Sequence, residues 1–444
     1  MNKILAFLIL SLAIFGCTQD KLENPLDTNL TRTLQKLSPT GELDHFVLPD
    51  SDNLHAIPQG VGNPLTPEKV ALGKMLFYET GLALDAMHES GVGTYSCSSC
   101  HIPSAGFMPG RVQGIADGGI GFGFNGEQRD QIEGYLEEEM DVQGARPLSL
   151  LNVTYVTNSM WNGKFGANGV NVGTEYAWHE EEELEVNFLG LDGLEAQNIE
   201  GLKAHRMRAN RETLESLGYL PMYDEAFPEF PEDERYGFVT TSFAISAYIR
   251  TLLTTEAPFQ KWLKGEQNAM TAQEKRGAQL FFSKAGCFRC HQGPALSANE
   301  FHALGVRDLH ENPNVYGTSI DDKRNLGRGG FTKKEEDLYK FKVPQLYNMG
   351  DSHFYFHGSS KRSLLAVVEY FNQGEPENPN IPEDKVSPLF HPLYLSLQEV
   401  EDLVEFLDNG LRDPDLQRYV PEAVLSGNCF PNNDPVSQSD LGCN

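Results

Sequence analysis

The sequence contains the pentapeptide CSSCH at residues 97–101 and a second one, CFRCH, at residues 287–291. Each unit has two cysteines separated by two residues and followed at once by a histidine. The chain has seven cysteines, so four of them belong to these two units. The units lie 190 positions apart (287 − 97), which leaves room for a separate domain around each.

The C-x-x-C-H pattern is typical of covalent c-type haem attachment. Two thiols add to the vinyl groups of the porphyrin, and the adjacent imidazole reaches the iron. Disulfides or a zinc site would also use paired cysteines, but neither explains a histidine after both pairs, and zinc requires reduced thiols. The pattern therefore predicts two covalently bound haems with His101 and His291 as proximal ligands. The cofactor-binding residues are then Cys97, Cys100, His101, Cys287, Cys290 and His291.

The length of the chain indicates its number of domains, and its net charge indicates which classes of partner it can bind. At 444 residues it is longer than one ordinary compact core, so about two domains are expected. Its formal net charge of −28 at pH 7 would repel a phosphate backbone and attract a basic soluble protein. The composition therefore rules against nucleic acid as a partner.

The N-terminal residues resemble an export signal. Residues 1–16 carry one lysine and then an apolar run, which is typical of a secretory signal and too short for a membrane span. Cys17 follows directly, as in a bacterial lipobox, although Phe15 is bulkier than usual there; a plain signal peptide cut after Cys17 is the alternative. We expect an exported protein, facing the periplasm or the cell surface, that is held at the membrane by lipid on Cys17.

Two helical segments repeat ahead of the two units. TPE at residues 66–68 and TAQE at residues 271–274 each join an N-capping hydroxyl to an early acid, and each leads through a glycine to an apolar triplet. Residues 238–253 form an apolar helical pattern, and SLQE at residues 396–399 is a capping box. Strand-type alternation is scarce. The sequence predicts an all-α protein with two cytochrome c-like haem domains, long loops and little sheet.

These patterns divide the chain into five segments. Residues 1–17 are the signal peptide with the lipobox cysteine, and residues 18–62 lack periodicity and are predicted to be a tether. The first haem domain is expected over residues 63–268 and the second over residues 269–420. The tail, residues 421–444, contains Cys429 and Cys443, which are expected to form a disulfide in an oxidising compartment.

Several further segments carry a family resemblance. They are LGKMLF (72–77), RPLSLLN (146–152), WNGK (161–164), LEAQ (194–197) and VPQLYN (343–348), the last leading to YFHG (355–358). With the two C-x-x-C-H units, these segments resemble the bacterial di-haem cytochrome c peroxidases and their relative MauG. The resemblance covers roughly residues 65–411, most of the mature chain.

The resemblance implies that the two haems have different roles. The haem at His101 would be the low-potential peroxide site, and the haem at His291 would store and relay the electron. Trp161 matches a tryptophan that relays electrons between the two haems. Gln197 matches a glutamine of the peroxide pocket.

The chain departs from the family at the catalytic acid. The family's glutamate would fall near residues 205–207, where no acid stands. A peroxidase needs a group that moves a proton from the near to the far peroxide oxygen. We therefore nominate His205, or Glu200 a little upstream, as that group; an ordinary surface histidine is the alternative for His205.

Other departures concern the metal ligands. Residues 102–160 contain no histidine, so the chain resembles the members whose first haem is open without prior reduction. The methionine that ligates the second iron aligns with Phe356, which cannot ligate, and Tyr355 is favoured over Met349 as the sixth ligand. The interdomain calcium of the family is doubtful because Ala145 stands where an asparagine is expected.

Three functions remain open on these grounds. The main hypothesis is a peroxidase that reduces hydrogen peroxide to water with electrons from a small cytochrome or cupredoxin. The first alternative is a MauG-like enzyme that oxidises a tryptophan or tyrosine of a partner protein. The second is an electron-transfer cytochrome in which both irons have two protein ligands. All three are compatible with a homodimer.

Covalent attachment can be tested by mass. We expect the matured protein to exceed the mass of its polypeptide by two haems, and a Cys97→Ser/Cys100→Ser variant to exceed it by one. Intact-mass spectrometry under denaturing conditions measures both, since only covalently bound haem survives. A correctly matured sample with the mass of the bare polypeptide would contradict the prediction of two attached haems.

Overall fold

The computed structural model describes residues 24–443, so the predicted signal and Cys17 lie outside the described residues. This part of the chain forms twelve α-helices, many short 3-10 turns and two small antiparallel sheets. The helices are α1 Pro25–Leu37, α2 Pro67–Tyr78, α3 Gly193–Ala204, α4 Arg211–Ser216, α5 Leu220–Ala226, α6 Phe238–Arg250, α7 Pro258–Leu263, α8 Ala272–Phe281, α9 Arg328–Thr332, α10 Leu364–Gln373, α11 Leu397–Glu405 and α12 Pro435–Leu441. The strands are β1 Gly119–Ile120, β2 Asp130–Gln131, β3 Ala298–His302 and β4 Phe341–Val343, paired β1 with β2 and β3 with β4.

The predicted helix-rich class with little sheet is confirmed. The helix ahead of each C-x-x-C-H unit begins as expected, because the Thr66 hydroxyl accepts from the Lys69 amide at 3.2 Å and the Thr271 hydroxyl accepts from the Glu274 amide at 3.2 Å. The capping box at Ser396 is also present. In residues 24–443, no helix is both long and apolar enough to cross a membrane.

Each module contains one close helix crossing at a glycine. Helix α2 packs on α6, and a Cβ added at Gly73 would lie 1.8 Å from the carbonyl oxygen of Ala244. Helix α8 packs on α11 in the same way, and a Cβ at Gly277 would lie 2.0 Å from the carbonyl oxygen of Asp402. The absence of a side chain therefore lets the helix that leads into each unit approach a neighbouring backbone directly.

Residues 24–62 are not a tether, and this part of the prediction is wrong. Helix α1 buries Leu30 and Leu34 completely in the core of the second module. The Asp27 carboxylate accepts from the Trp262 indole at 2.6 Å and pairs with Lys275 at 2.7 Å. Leu30 and Leu34 stand one helical turn apart, so an amphipathic period was present in a segment that looked irregular.

The C-terminal tail is fastened to the first unit. Cys429 and Cys443 form the predicted disulfide. The Pro431 carbonyl inside this loop accepts from the hydroxyls of Ser96 and Ser99 at 3.0 Å each. The last residues of the chain thus support the turn that carries the first pair of attachment cysteines.

The two glycine crossings predict matched losses of stability. We expect Gly73→Ala and Gly277→Ala each to lower the free energy of unfolding by about 1–3 kcal/mol, because the added methyl meets backbone that cannot move aside. Urea unfolding of the holoprotein measures this. Gly201→Ala in α3 is the control, since its Cβ would meet nothing nearer than 3.8 Å. Equal stability of all three variants would contradict the close crossings.

Candidate di-haem site

One cavity contains both C-x-x-C-H units. Its volume is about 1710 Å³, larger than the roughly 300–1,000 Å³ of a pocket for one small ligand. All of the residues predicted for the site lie in its wall. They are Cys97, Cys100, His101, Trp161, Gln197, Glu200, His205, Cys287, Cys290, His291, Met349 and Tyr355.

The two proximal histidines have the same local geometry. His101 Nδ1 lies 3.0 Å from the carbonyl oxygen of Phe107, and His291 Nδ1 lies 3.0 Å from that of Leu296 and 3.1 Å from that of Pro344. A carbonyl only accepts, so Nδ1 carries the proton and Nε2 is left to bind iron. Phe107 and Leu296 both have left-handed backbones, with φ of 55° and 47°. In each module, a strained backbone conformation therefore orients one carbonyl toward the proximal histidine.

Burial keeps both imidazoles neutral. It lowers the pKa of His101 to about 4, against the raising effect of the Phe107 carbonyl. It lowers the pKa of His291 to about 4 as well, against the Leu296 and Pro344 carbonyls. A neutral imidazole with a free Nε2 is the form that ligates iron.

The four attachment thiols are free, which contradicts the disulfide alternative. Burial raises the pKa of Cys97, Cys100 and Cys287 to about 12. In addition, residues 24–443 contain no cluster of three or more His, Cys, Asp or Glu side chains suited to a metal ion.

Two buried cations in the cavity wall point to an anionic cofactor. The Arg146 guanidinium donates to the carbonyls of Arg111 at 2.5 Å and Pro109 at 2.8 Å, and burial lowers its pKa to about 9. The Lys342 ammonium contacts the Asn158 carbonyl, and burial lowers its pKa to about 7. Neither cation forms an ion pair with an acid of the described chain. Buried charges need a counter-charge, and haem propionates would supply it, so the cavity fits two haems in size, thiols, imidazoles and charge.

Trp161 joins the two modules inside the cavity. Its indole Nε1 donates to the Arg146 carbonyl at 2.6 Å, and its own carbonyl accepts from the Lys342 amide at 2.8 Å. Its ring packs edge-on against His357, with centroids 6.2 Å apart. Trp161 therefore contacts Arg146 on one side and Lys342 and His357 on the other.

Helix α3 places the predicted peroxide-pocket residues on one wall. Gln197 and Glu200 lie one turn apart, and His205 caps the end of the helix. Glu200 pairs with Lys203 at 2.7 Å, whereas His205 Nδ1 lies 2.7 Å from the Asp141 carboxylate. Burial opposes protonation of His205, but the charge and the hydrogen bond of Asp141 outweigh it and raise its pKa.

Three of these wall residues were missed by sequence reasoning. Asp141 lies 64 positions before His205, and no local pattern links the two. Arg146 is the first residue of the segment 146–152 and Lys342 directly precedes the segment 343–348, so the family resemblance was the available signal. Their burial without an acid, however, is visible only in the folded chain.

The two candidate ligands of the second iron differ in availability. The Tyr355 hydroxyl donates to the carbonyls of Met349 at 3.0 Å and Ser352 at 2.7 Å, and burial raises its pKa. A phenol held in this way is a poor source of a tyrosinate ligand. On this ground we propose the half-buried Met349, in place of Tyr355, as the sixth ligand of the second iron.

This geometry predicts the behaviour of Tyr355→Phe. We expect the variant to keep the axial-ligand spectrum of the second haem and to lose about 0.5–1.5 kcal/mol of unfolding free energy, because two carbonyls lose their donor. Magnetic circular dichroism of the ferric protein and urea unfolding give the two quantities. Loss of the sixth-ligand signature in Tyr355→Phe would establish tyrosine ligation instead.

Comparison with known proteins agrees with this site. A sequence profile described as di-haem cytochrome c peroxidase matches residues 67–268. The methylamine utilization protein MauG of Methylorubrum extorquens is 28% identical over 361 residues, which cover 81% of this chain and 82% of MauG. Cytochrome-c peroxidase IdrP1 of Denitromonas iodatirespirans is 29% identical over 374 residues, with 80% and 84% covered.

The fold is shared with a solved structure. A MauG-like protein associated with microbial copper homeostasis superposes with a TM-score of 0.57 at 24% identity, covering 83% of this chain and 95% of that protein. The family that matches residues 67–268 is described as di-haem, and the thiols, imidazoles and buried cations of the cavity accommodate two haems. The chain thus resembles the di-haem cytochrome c peroxidases over most of its length and is an oxidoreductase of the cytochrome-c peroxidase type.

Proposed function

We propose that this protein is an exported di-haem peroxidase that reduces hydrogen peroxide to water with electrons from a small redox protein. The observation that supports the proposal most is the content of the single cavity. The wall that holds the first C-x-x-C-H unit also holds a histidine able to move protons, and Trp161 links this wall to residues of the second module.

The bound cofactors define what the chain itself must do. A haem on His101 would supply an iron that peroxide can approach, and a haem on His291 would supply a store for one electron. Reduction of one hydrogen peroxide to two waters consumes two electrons and two protons. The protein must therefore move protons at the peroxide and conduct electrons to it.

We assign proton movement to His205. Its Nε2 takes the proton from the near peroxide oxygen and returns it to the far oxygen, which then leaves as water. Gln197, two turns earlier on the same wall, orients the peroxide by hydrogen bonding. Glu200 is the weaker candidate because its carboxylate already pairs with Lys203.

Electrons enter at the second module and pass Trp161. Methionine ligation by Met349 would raise the reduction potential of the second iron and suit it to receive electrons from a donor. The net charge of −28 favours a basic cytochrome or cupredoxin, which long-range attraction would steer to the surface. Export and a lipid anchor on Cys17 would place the enzyme where peroxide and such donors meet.

A MauG-like function is the second candidate. It is supported by the 28% identity to MauG and by the lack of histidine in residues 102–160, which leaves the first haem without an evident blocking ligand. Oxidation of a partner's tryptophan or tyrosine would then replace oxidation of a small donor. The engagement of the Tyr355 hydroxyl by two carbonyls favours the peroxidase over this candidate.

Stoichiometry separates the two functions. We expect the holoprotein to oxidise two equivalents of a reduced basic small cytochrome for each hydrogen peroxide, measured optically at low ionic strength. His205→Ala should lower this rate about 10²–10⁴-fold, since a general acid–base is lost. His55→Ala, at an exposed histidine, is the matched control.

The opposite outcome is equally specific. If peroxide instead produces a long-lived doubly oxidised protein that leaves the small cytochrome reduced, the peroxidase proposal fails and the MauG-like function takes its place.

A further inference from the structure

We infer that Asp141 is the positioning residue of the peroxide pocket: it holds His205 by Nδ1 so that Nε2 faces the cavity as the proton carrier. The inference rests on the proposed function and extends it to a residue outside the predicted site. It begins from the 2.7 Å contact between His205 Nδ1 and Asp141 Oδ2. The Asp141 side chain is 10% exposed, so this carboxylate is held within the fold.

The contact determines which ring nitrogen can react. An ionised carboxylate only accepts hydrogen bonds, so Nδ1 of His205 must carry a proton. Nε2 is then unprotonated in the neutral ring and free to take a proton from a ligand in the cavity. When Nε2 is protonated, the charge of Asp141 stabilises the imidazolium that forms.

A second carboxylate anchors the residue after His205. Arg206 has a left-handed backbone, with φ of 52°, which is costly for a residue with a side chain. Its guanidinium pairs with the fully buried Asp117 and donates to the Glu139 carbonyl at 2.7 Å. These contacts hold the chain where it leaves α3 and turn the His205 ring toward Asp141.

The two carboxylates come from one structural unit. The Asp141 amide donates to the Asp117 carbonyl at 3.0 Å, and Ile115 and Val142 form a bridge beside them. Asp117 is itself fixed by the Tyr135 hydroxyl at 2.7 Å. One pair of neighbouring loop segments thus binds two consecutive residues, His205 and Arg206, through two different acids.

The surroundings of the His205 ring favour its charged form. Asp141 is the acid in contact with it, Arg206 opposes that effect, and His101 is near enough for its charge to interact. Glu200 and Lys203, on the preceding turn, pair with each other at 2.7 Å. Burial lowers the pKa of His205, but the charge and the hydrogen bond of Asp141 outweigh it, so this pKa lies above its ordinary value.

Cyanide binding to the ferric holoprotein tests the pair without turnover. Hydrogen cyanide that binds at a haem on His101 would give its proton to Nε2 of His205, so its affinity would fall once acid has protonated that nitrogen. We expect the acid limb of the affinity profile, measured by optical titration from pH 4 to 8, to lie above the ordinary histidine value of about 6.5. A wild-type limb below that value would overturn the inference.

Variants locate the effect. Asp141→Asn should move the limb to lower pH by on the order of one unit or more, because the negative charge is lost. Asp141→Glu should restore the limb and His205→Gln should abolish it. Glu138→Gln, which removes an exposed acid three residues away, is the control and should leave the limb in place. An unchanged limb in Asp141→Asn would overturn the inference.

The readout also separates the pair from the proposed function. If the protein does not turn over peroxide but the acid limb of its cyanide affinity depends on Asp141, the peroxidase function is refuted. The inferred Asp141–His205 pair then still stands. If the protein is an active peroxidase and the acid limb of its cyanide affinity is the same in Asp141→Asn, Asp141→Glu and wild type, the Asp141–His205 pair is refuted. The peroxidase function then still stands.

Discussion

The hydrogen bond from each proximal imidazole to a backbone carbonyl is the contact on which the rest of this structure depends. His101 and His291 each direct Nδ1 at the carbonyl of a residue in a left-handed conformation, Phe107 in one module and Leu296 in the other. That bond sets the tautomer and the ring orientation, so that Nε2 is available to iron. Without it, four cysteines would attach two cofactors whose irons had no defined partner.

The features that depend on residues close together in the chain could be predicted from the sequence, because short sequence patterns specify them. The C-x-x-C-H units, the Thr66 and Thr271 caps and the buried helix α6 each depend on residues only a few positions apart. Trp161 and Gln197 became candidates through a resemblance, and the fold brings both into the same cavity as the two units. The tail disulfide followed from counting cysteines once export was expected.

The parts that escaped prediction depend on contacts between distant segments. Asp141 contacts His205 although 64 positions separate them in the sequence. The burial of Lys342, whose ammonium contacts the Asn158 carbonyl, follows from the packing of distant segments. The mixture of Thr, Asp, Pro and Gly in residues 18–62 predicts a tether, and only the core of the second module shows that α1 buries Leu30 and Leu34. The contact of the Tyr355 hydroxyl with the Ser352 carbonyl in a neighbouring turn is likewise visible only in the folded chain.

We propose that haems on His101 and His291 would place two chemically different irons in one cavity, one open to peroxide and the other closed by a second protein ligand. A low-temperature electron spin resonance spectrum of the resting diferric protein tests this directly, because spin state reports coordination. We expect one high-spin signal from the open first haem and one low-spin signal from the second. Two low-spin signals, both unchanged by added cyanide, would contradict it.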